Sequence, residues 1–519
     1  MKAVARLVGL SLALPLVAAW AETSPPTQRR PPADSENITV PKIWDEKQLA
    51  TWATPVAGLG VRPGHFSEEE YYAAPVDNLR TYPVYHPNRE PPGYRAWMKS
   101  QGPRPLIEPE KLRTKADWVE AGRQVFEQLD TALSRTDDQS VIEHFSSADA
   151  IDKYRDATHD VISKDGILLD YRWVVDRNGG LKISLSSCSG CHTRLMPDGS
   201  LLPGAPSNFD LSDSPAANVL LSKLVPTPRP PLGKMLYAEF GVPWLTDDTH
   251  ARFKSMSDPK VMNFRALETG EPPGTTFSRL NGSPYYTTRM ADLNGVKDRR
   301  YLDATGTHAN RGPADIARYG ILVEFADIAV FGPHRMIAKE YSTLRLRPPD
   351  EAMYALGLYV YSLEPPKSPF PFDEQAQRGK SIFEAEGCTE CHTPPVYTNN
   401  KLVAVSGFEP PVDDPATFRL DISTRRVGTD PGLALKTRKG TGYYKIPSLR
   451  GLWYRGLYEH SGSVASLEDW FDPKRLRDDY VPSGWKGPGV KTRAVPGHKF
   501  GHDLSDDDKK ALIAFLKTL

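Results

Sequence analysis

The apolar positions of this chain form one short continuous run and two pairs of amphipathic segments. The run, Leu7 to Ala19, follows Lys2 and Arg6 and closes on Ala19-Trp20-Ala21. A charged start, a short apolar core and a small-x-small end predict a secretory signal over residues 1–21, cleaved near Ala21. It falls short of the roughly 20 apolar residues that span a bilayer, so no stable membrane insertion is expected. The paired segments read as helices. Ala121-Gly122-Arg123-Gln124-Val125-Phe126 opens one, and Gln377-Arg378-Gly379-Lys380-Ser381-Ile382-Phe383 opens another. Asp350-Glu351 with Ala355 to Leu363 matches Asp506-Asp507 with Ala511 to Leu519. Each of these has acidic residues in its first turn and then apolar residues at helical spacing.

The pattern repeats once, with a break at Glu364-Pro365-Pro366, where proline cannot continue a helix. Four segments follow from it: the signal at 1–21, a linker and N-terminal extension at 22–110, a first unit at 111–366 and a second at 367–519. The first unit is expanded. From Phe126 to Cys188 is 62 residues, against five from Phe383 to Cys388; from His192 to Ala355 is 163, against 119 from His392 to Ala511. The 519 residues include 48 prolines, which imply irregular connections and argue against extensive sheet. The expected fold class is therefore all-α: two repeated helical domains with long irregular loops and an N-terminal extension.

Lys+Arg and Asp+Glu balance at 65 each, so no charge excess draws the chain to nucleic acid. The four cysteines define the chemistry. They fall as Cys188-Ser189-Gly190-Cys191-His192 and Cys388-Thr389-Glu390-Cys391-His392, and none is left over. This is the pattern of covalent haem attachment: two thiols add across the two vinyl groups of one porphyrin, and the adjacent imidazole reaches the iron. Two c-type haems are expected, with His192 and His392 as iron ligands, so the all-α fold is expected to hold two cytochrome c-like haem domains. The opposite face of each iron decides what the haem does. All nine methionines lie at or before Met353, so the second unit supplies no thioether of its own. His498 is the leading candidate there, with His460 and then His502 as alternatives. For the first haem, His334, Met196 and His308 are open candidates, and the large insertions suggest a shaped pocket around a reactive iron.

Gly442-Tyr443-Tyr444-Lys445-Ile446-Pro447-Ser448-Leu449-Arg450, then His460-Ser461-Gly462-Ser463, Leu467-Glu468-Asp469 and Phe471-Asp472-Pro473, resembles the bacterial dihaem cytochrome c peroxidase/MauG superfamily. The spacing of 200 residues between His192 and His392, the missing second-unit methionine and His498 most resemble the RoxA-type rubber oxygenase branch. Phe277 to Pro284 and Arg299 to Asp303 add to that likeness. The resemblance implies a haem oxidoreductase outside the inner membrane, periplasmic or secreted. The N-terminal haem would meet peroxide, or O₂ with an organic substrate, and the C-terminal haem would hold or pass electrons. A small redox protein as donor or acceptor, and a Ca²⁺ between the domains, are further expectations of this kind. Classical members use distal His, Gln and Glu side chains; no matching set stands out here, so no catalytic side chain is assigned. A pure electron-transfer cytochrome with both haems six-coordinate is the competing reading.

Overall fold

A computed structural model describes residues 38–158, 161–208, 240–245, 276–277, 283, 285–325, 330–336, 345–411, 420–487 and 489–519. The expected secretory signal, residues 22–37, residues 209–239 and 246–275 of the first unit and most of Phe277 to Pro284 lie outside these residues.

Five helices carry the repeated scaffold: α1 (Lys115–Gln128), α2 (Pro313–Glu324), α3 (Asp350–Ser362), α4 (Glu374–Ala385) and α5 (Asp506–Lys517). Their starts are written locally. Thr114 and Asp117 form a capping box on α1, Asp373 accepts from the Ala376 amide of α4, and Ser505 accepts from the Asp508 amide of α5. On α1, Trp118, Ala121, Gly122, Val125 and Phe126 are buried at helical spacing.

The helices cross in equivalent registers. A Cβ placed on Gly122 would overlap the carbonyl of Ala355, and one placed on Gly379 would overlap the carbonyl of Ala511. Above each crossing an aromatic pair closes the gap at the same separation: Phe126 and Tyr359 lie 5.4 Å apart, and Phe383 and Phe515 lie 5.4 Å apart. Glycine is required at both points because only a missing side chain lets two helix backbones approach this closely.

The all-α expectation is overturned. Fifteen short strands pair into six small sheets among the described residues, so the fold is mixed. The largest departure is an antiparallel sheet of β1 (Thr81–Tyr85), β2 (Ile167–Val175) and β3 (Leu181–Leu185), in the order β1-β2-β3. It has its own core of Tyr82, Val84, Phe145, Tyr171, Trp173 and Ile183. A second small sheet joins β4 (Leu402–Ala404), β5 (Ile422–Ser423) and β6 (Tyr443–Lys445). The prolines do not prevent this pairing. Pro83 lies on an edge strand where the register shifts, a place that tolerates a missing N–H.

The larger core contains α1, α2 and α3, with Trp44, Trp52 and Tyr71 from the N-terminal segment packed among them. The smaller core joins α4 and α5 to Leu452, Leu467 and Phe471. Cys188 packs against the first core and Cys388 against the second. No helix among the described residues is long and apolar enough to cross a membrane.

Candidate haem sites

Each Cys-x-x-Cys-His segment forms a single helical turn closed by the same bond. The amide of His192 donates to the Cys188 carbonyl at 3.0 Å, and that of His392 to the Cys388 carbonyl at 2.8 Å. The imidazoles are oriented alike. His192 Nδ1 donates to the Ala291 carbonyl at 3.0 Å, and His392 Nδ1 to the Tyr397 carbonyl at 3.2 Å. A carbonyl on Nδ1 fixes the tautomer and leaves Nε2 as the metal-binding atom. Burial pushes the Cys188 thiol up to about 12 and the Cys388 thiol up to about 11.

Beside the second turn lies a cavity of about 330 Å³, within the ordinary range for cofactor pockets. Cys388, Cys391 and His392 line one side; Phe383, Leu452, Trp470, Phe471 and Leu512 give it apolar walls. His498 lines the cavity as well, its ring centre 6.3 Å from that of His392. Two imidazoles this close, both lining one cavity, could together hold the iron of a single haem, which would supply the redox chemistry. Burial lowers His392 to about 4 and His498 to about 3, so both rings are neutral, the form that ligates a metal. The Nδ1 atom of His498 is buried without a hydrogen-bond partner. Thiols, two neutral imidazoles and an apolar slot fit a haem.

The His498 loop is held under strain. His498 has φ 48°, in the left-handed region that side chains other than glycine rarely adopt, and it follows Gly497 at φ 87°. The His498 amide donates to the Val427 carbonyl at 2.8 Å. Below the loop Arg475 is fully buried. Its guanidinium donates to the carbonyls of Trp470, Val495, Gly497 and His498 at 2.6 to 2.9 Å, and lies 3.2 Å from His502 Nε2.

His460 lines the same cavity but is engaged elsewhere. Its Nε2 lies 3.0 Å from the Tyr444 hydroxyl, and its Nδ1 contacts Glu459. His502 sits against Arg475 and the Trp470 carbonyl. The structure thus brings His392, His498 and His460 around one cavity and sets His502 behind its wall.

The first site's three candidates have other neighbours. His308 is buried against Trp52, with Nε2 3.4 Å from His65 Nε2 and Nδ1 2.9 Å from the Thr307 hydroxyl. His334 lies in a short strand with its ring 5.7 Å from that of Trp244. Met196 forms the turn of the hairpin that pairs Thr193–Leu195 with Leu201–Pro203. Among the described residues no group of three or more His, Cys, Asp or Glu side chains is placed to hold a separate metal ion.

Sequence reading missed Arg475, Ala291 and Arg289. An arginine between Lys474 and Leu476 looks like any surface arginine, and a backbone carbonyl leaves no trace in the side-chain pattern. Arg289, Met290, Ala291 and Asp292 line the second cavity although they precede it by about a hundred residues.

No family model matches the chain. It is 26% identical over 196 residues to the cytochrome c peroxidase IdrP1 of Denitromonas iodatirespirans, covering 33% of this chain and 49% of that protein. It is 27% identical over 149 residues to the methylamine utilization protein MauG of Methylorubrum extorquens, covering 28% and 34%. It is 22% identical over 142 residues to the cytochrome c551 peroxidase of Nitrosomonas europaea, covering 27% and 33%. The chain thus spans between a third and a half of the length of these relatives. The motif pattern and these relatives together support a likeness to the dihaem cytochrome c peroxidase/MauG superfamily.

Proposed function

We propose that this protein is a dihaem c-type cytochrome of the periplasm that works as a peroxidase-like oxidoreductase. One haem is attached at Cys188 and Cys191 with His192 on its iron, and the other at Cys388 and Cys391 with His392 and His498 on its iron. The observation that carries the reading is the pair of imidazoles, His392 and His498, with ring centres 6.3 Å apart. Two strong ligands close both faces of a haem iron, which suits electron storage and transfer rather than chemistry on a small molecule. The work on peroxide then falls to the first haem. Of the candidates for its other face, His308 is held by His65 and Thr307, and His334, whose loop resembles that of His498, lies beside Trp244, which supports an iron with one face open.

In this division of labour the chain's own residues have distinct tasks. The Ala291 and Tyr397 carbonyls keep His192 and His392 in one tautomer. Arg475 holds the strained loop that presents His498, and the apolar walls around Phe383 and Leu512 keep water from the second site. When bound, the haems supply the redox chemistry. A small redox protein would deliver electrons to the second site. The charged-apolar-small pattern of residues 1–21 supports export, and the peroxidase names of the relatives support peroxide as substrate. Oxygenation of an organic substrate, as in the RoxA-type branch, is the second reading, motivated by the missing second-unit methionine and by His498.

Absorption spectra of the purified protein, with CO on the reduced form and peroxide on the oxidised form, test the proposal. The expected result is two haems per chain, one shifting with each ligand and one unresponsive. Two unresponsive low-spin haems would establish the pure electron carrier instead.

A further inference from the structure

Three cations that line the second cavity, Arg289, Lys445 and Arg455, make no direct ion pair among the described residues. The guanidinium of Arg289 makes no hydrogen bond or ion pair among the described residues, although its own backbone amide donates to the His460 carbonyl. Lys445 reaches only the Tyr301 carbonyl, at 3.4 Å. Arg455 gives one nitrogen to the Ser448 carbonyl at 2.8 Å and leaves Nε buried without a partner.

The carboxylates on the same walls are already matched. Asp292 accepts from the Tyr454 hydroxyl at 3.0 Å and from the Asn294 amide, and Arg299 lies 3.8 Å away. Asp303 holds Lys439 and the Tyr319 hydroxyl. Glu459 is bound by Ser461. Burial, with neighbouring cations adding to it, lowers Arg289 to about 10 and Lys445 to about 7, although Asp292 and Asp303 pull the other way, as expected of cations removed from water with too little negative charge nearby. A buried charge left in this state is costly unless an anion joins it.

A c-type porphyrin, tied by its two vinyl-derived thioethers, carries two propionate carboxylates on its opposite edge. We propose that Arg289, Lys445 and Arg455 seat these carboxylates for the porphyrin bound at Cys388 and Cys391, and that the Arg289–Ala291 segment links this seat to the first haem. The inference rests on the haem assignment above. It goes beyond it because the seat is shared between the two units. Lys445 and Arg455 come from the second unit, whereas Arg289 comes from the first, two residues before the carbonyl that accepts from His192 Nδ1. A displacement of Arg289 therefore reaches the first haem's proximal imidazole through two peptide units, whereas a displacement of Lys445 does not.

A potentiometric titration of the holoprotein, following both haems by their absorption bands, tests both parts. Arg289→Met and Lys445→Met keep an apolar stem and remove the charge. Each is expected to lower the second haem's midpoint, because an unneutralised carboxylate disfavours the added electron, and Arg289→Lys is expected to restore it. Arg289→Met is expected to move the first midpoint as well, and Lys445→Met to leave it in place. A second midpoint unchanged in both Met variants would overturn the seat. A first midpoint unchanged in Arg289→Met, with the second one shifted, would overturn the link. If Arg289→Met does not fold, Lys445→Met decides the seat and Arg289→Lys, which alters reach at constant charge, decides the link by whether the first midpoint moves. Peptide mass spectrometry of the wild type separates this from the underlying reading: no haem mass on the Cys388–Cys391 peptide would mean that the haem assignment itself is wrong.

Discussion

The two Cys-x-x-Cys-His regions share a scaffold and differ in what faces it. Both have a one-turn Cys-x-x-Cys-His helix, an Nδ1 hydrogen bond to a backbone carbonyl, and a glycine-mediated helix crossing topped by an aromatic pair. Near His392 stands His498, on a loop strained into the left-handed region and bound down by Arg475. The sequence candidates for the first site have other partners, and the first unit adds a separate sheet with its own core. Where two copies of one scaffold diverge, the loops carry the difference in chemistry while the helix pair stays fixed.

The largest test of this comparison is to remove each attachment point. Cys188→Ala with Cys191→Ala, and Cys388→Ala with Cys391→Ala, should each lose one haem mass and one set of absorption bands. Only the second pair should abolish the bands of the low-spin haem. If either variant retains both haem masses, the two-site reading fails. His498→Ala comes next. It should convert the second haem from unresponsive to CO-binding and leave the first unchanged; a second haem that stays six-coordinate would assign the ligand elsewhere. Arg475→Met should give a weaker version, a mixture of ligated and open second haem, seen as a partial high-spin fraction in the same spectra.

The scaffold can be tested for equivalence. Gly122→Ala and Gly379→Ala each force a Cβ into a backbone carbonyl, and each should destabilise by about 3 kcal/mol or more in thermal unfolding. A tolerated alanine at one crossing alone would show that the two are not alike. The smallest effect is electrostatic. Although burial works to raise Asp303, the Lys439 ammonium and the Tyr319 hydroxyl hold it well below the usual carboxylate range. Its contribution is therefore full above about pH 4 and fades as the pH falls below that, by up to about 1.4 kcal/mol per unit. Asp303→Asn should lose that acid-side slope in denaturation measured from pH 5 to 2, with little change in slope near neutrality.

Much of the scaffold was legible because its determinants are local. Gly122 and Gly379, the aromatic residue four positions on, and Ala355 and Ala511 can be aligned by eye, and they meet in three dimensions as that alignment suggests. His498 stood out because the second unit lacks methionine and because it sits in a glycine-rich loop before the last helix. The sheet was not legible. β2 is buried along most of its length, so Ile-Leu-Leu-Asp-Tyr-Arg-Trp-Val-Val lacks the alternation that marks a half-exposed strand. The proline count also misled, because proline is excluded from central strands but not from edges. Arg289 and Arg475 could not be distinguished from solvated arginines, since burial and partners depend on contacts distant in sequence.

The cavity's mixed ancestry has a consequence for how such proteins can be rearranged. Thr288 to Ala304 form part of its wall, yet they precede the Pro365-Pro366 junction. A fragment beginning after that junction would keep Cys388, Cys391, His392 and His498 but would expose its haem edge along the missing wall. The C-terminal half is thus no portable cassette: recombination at the proline break would transplant the iron ligands without their enclosure, and the halves are constrained to be inherited as a matched set.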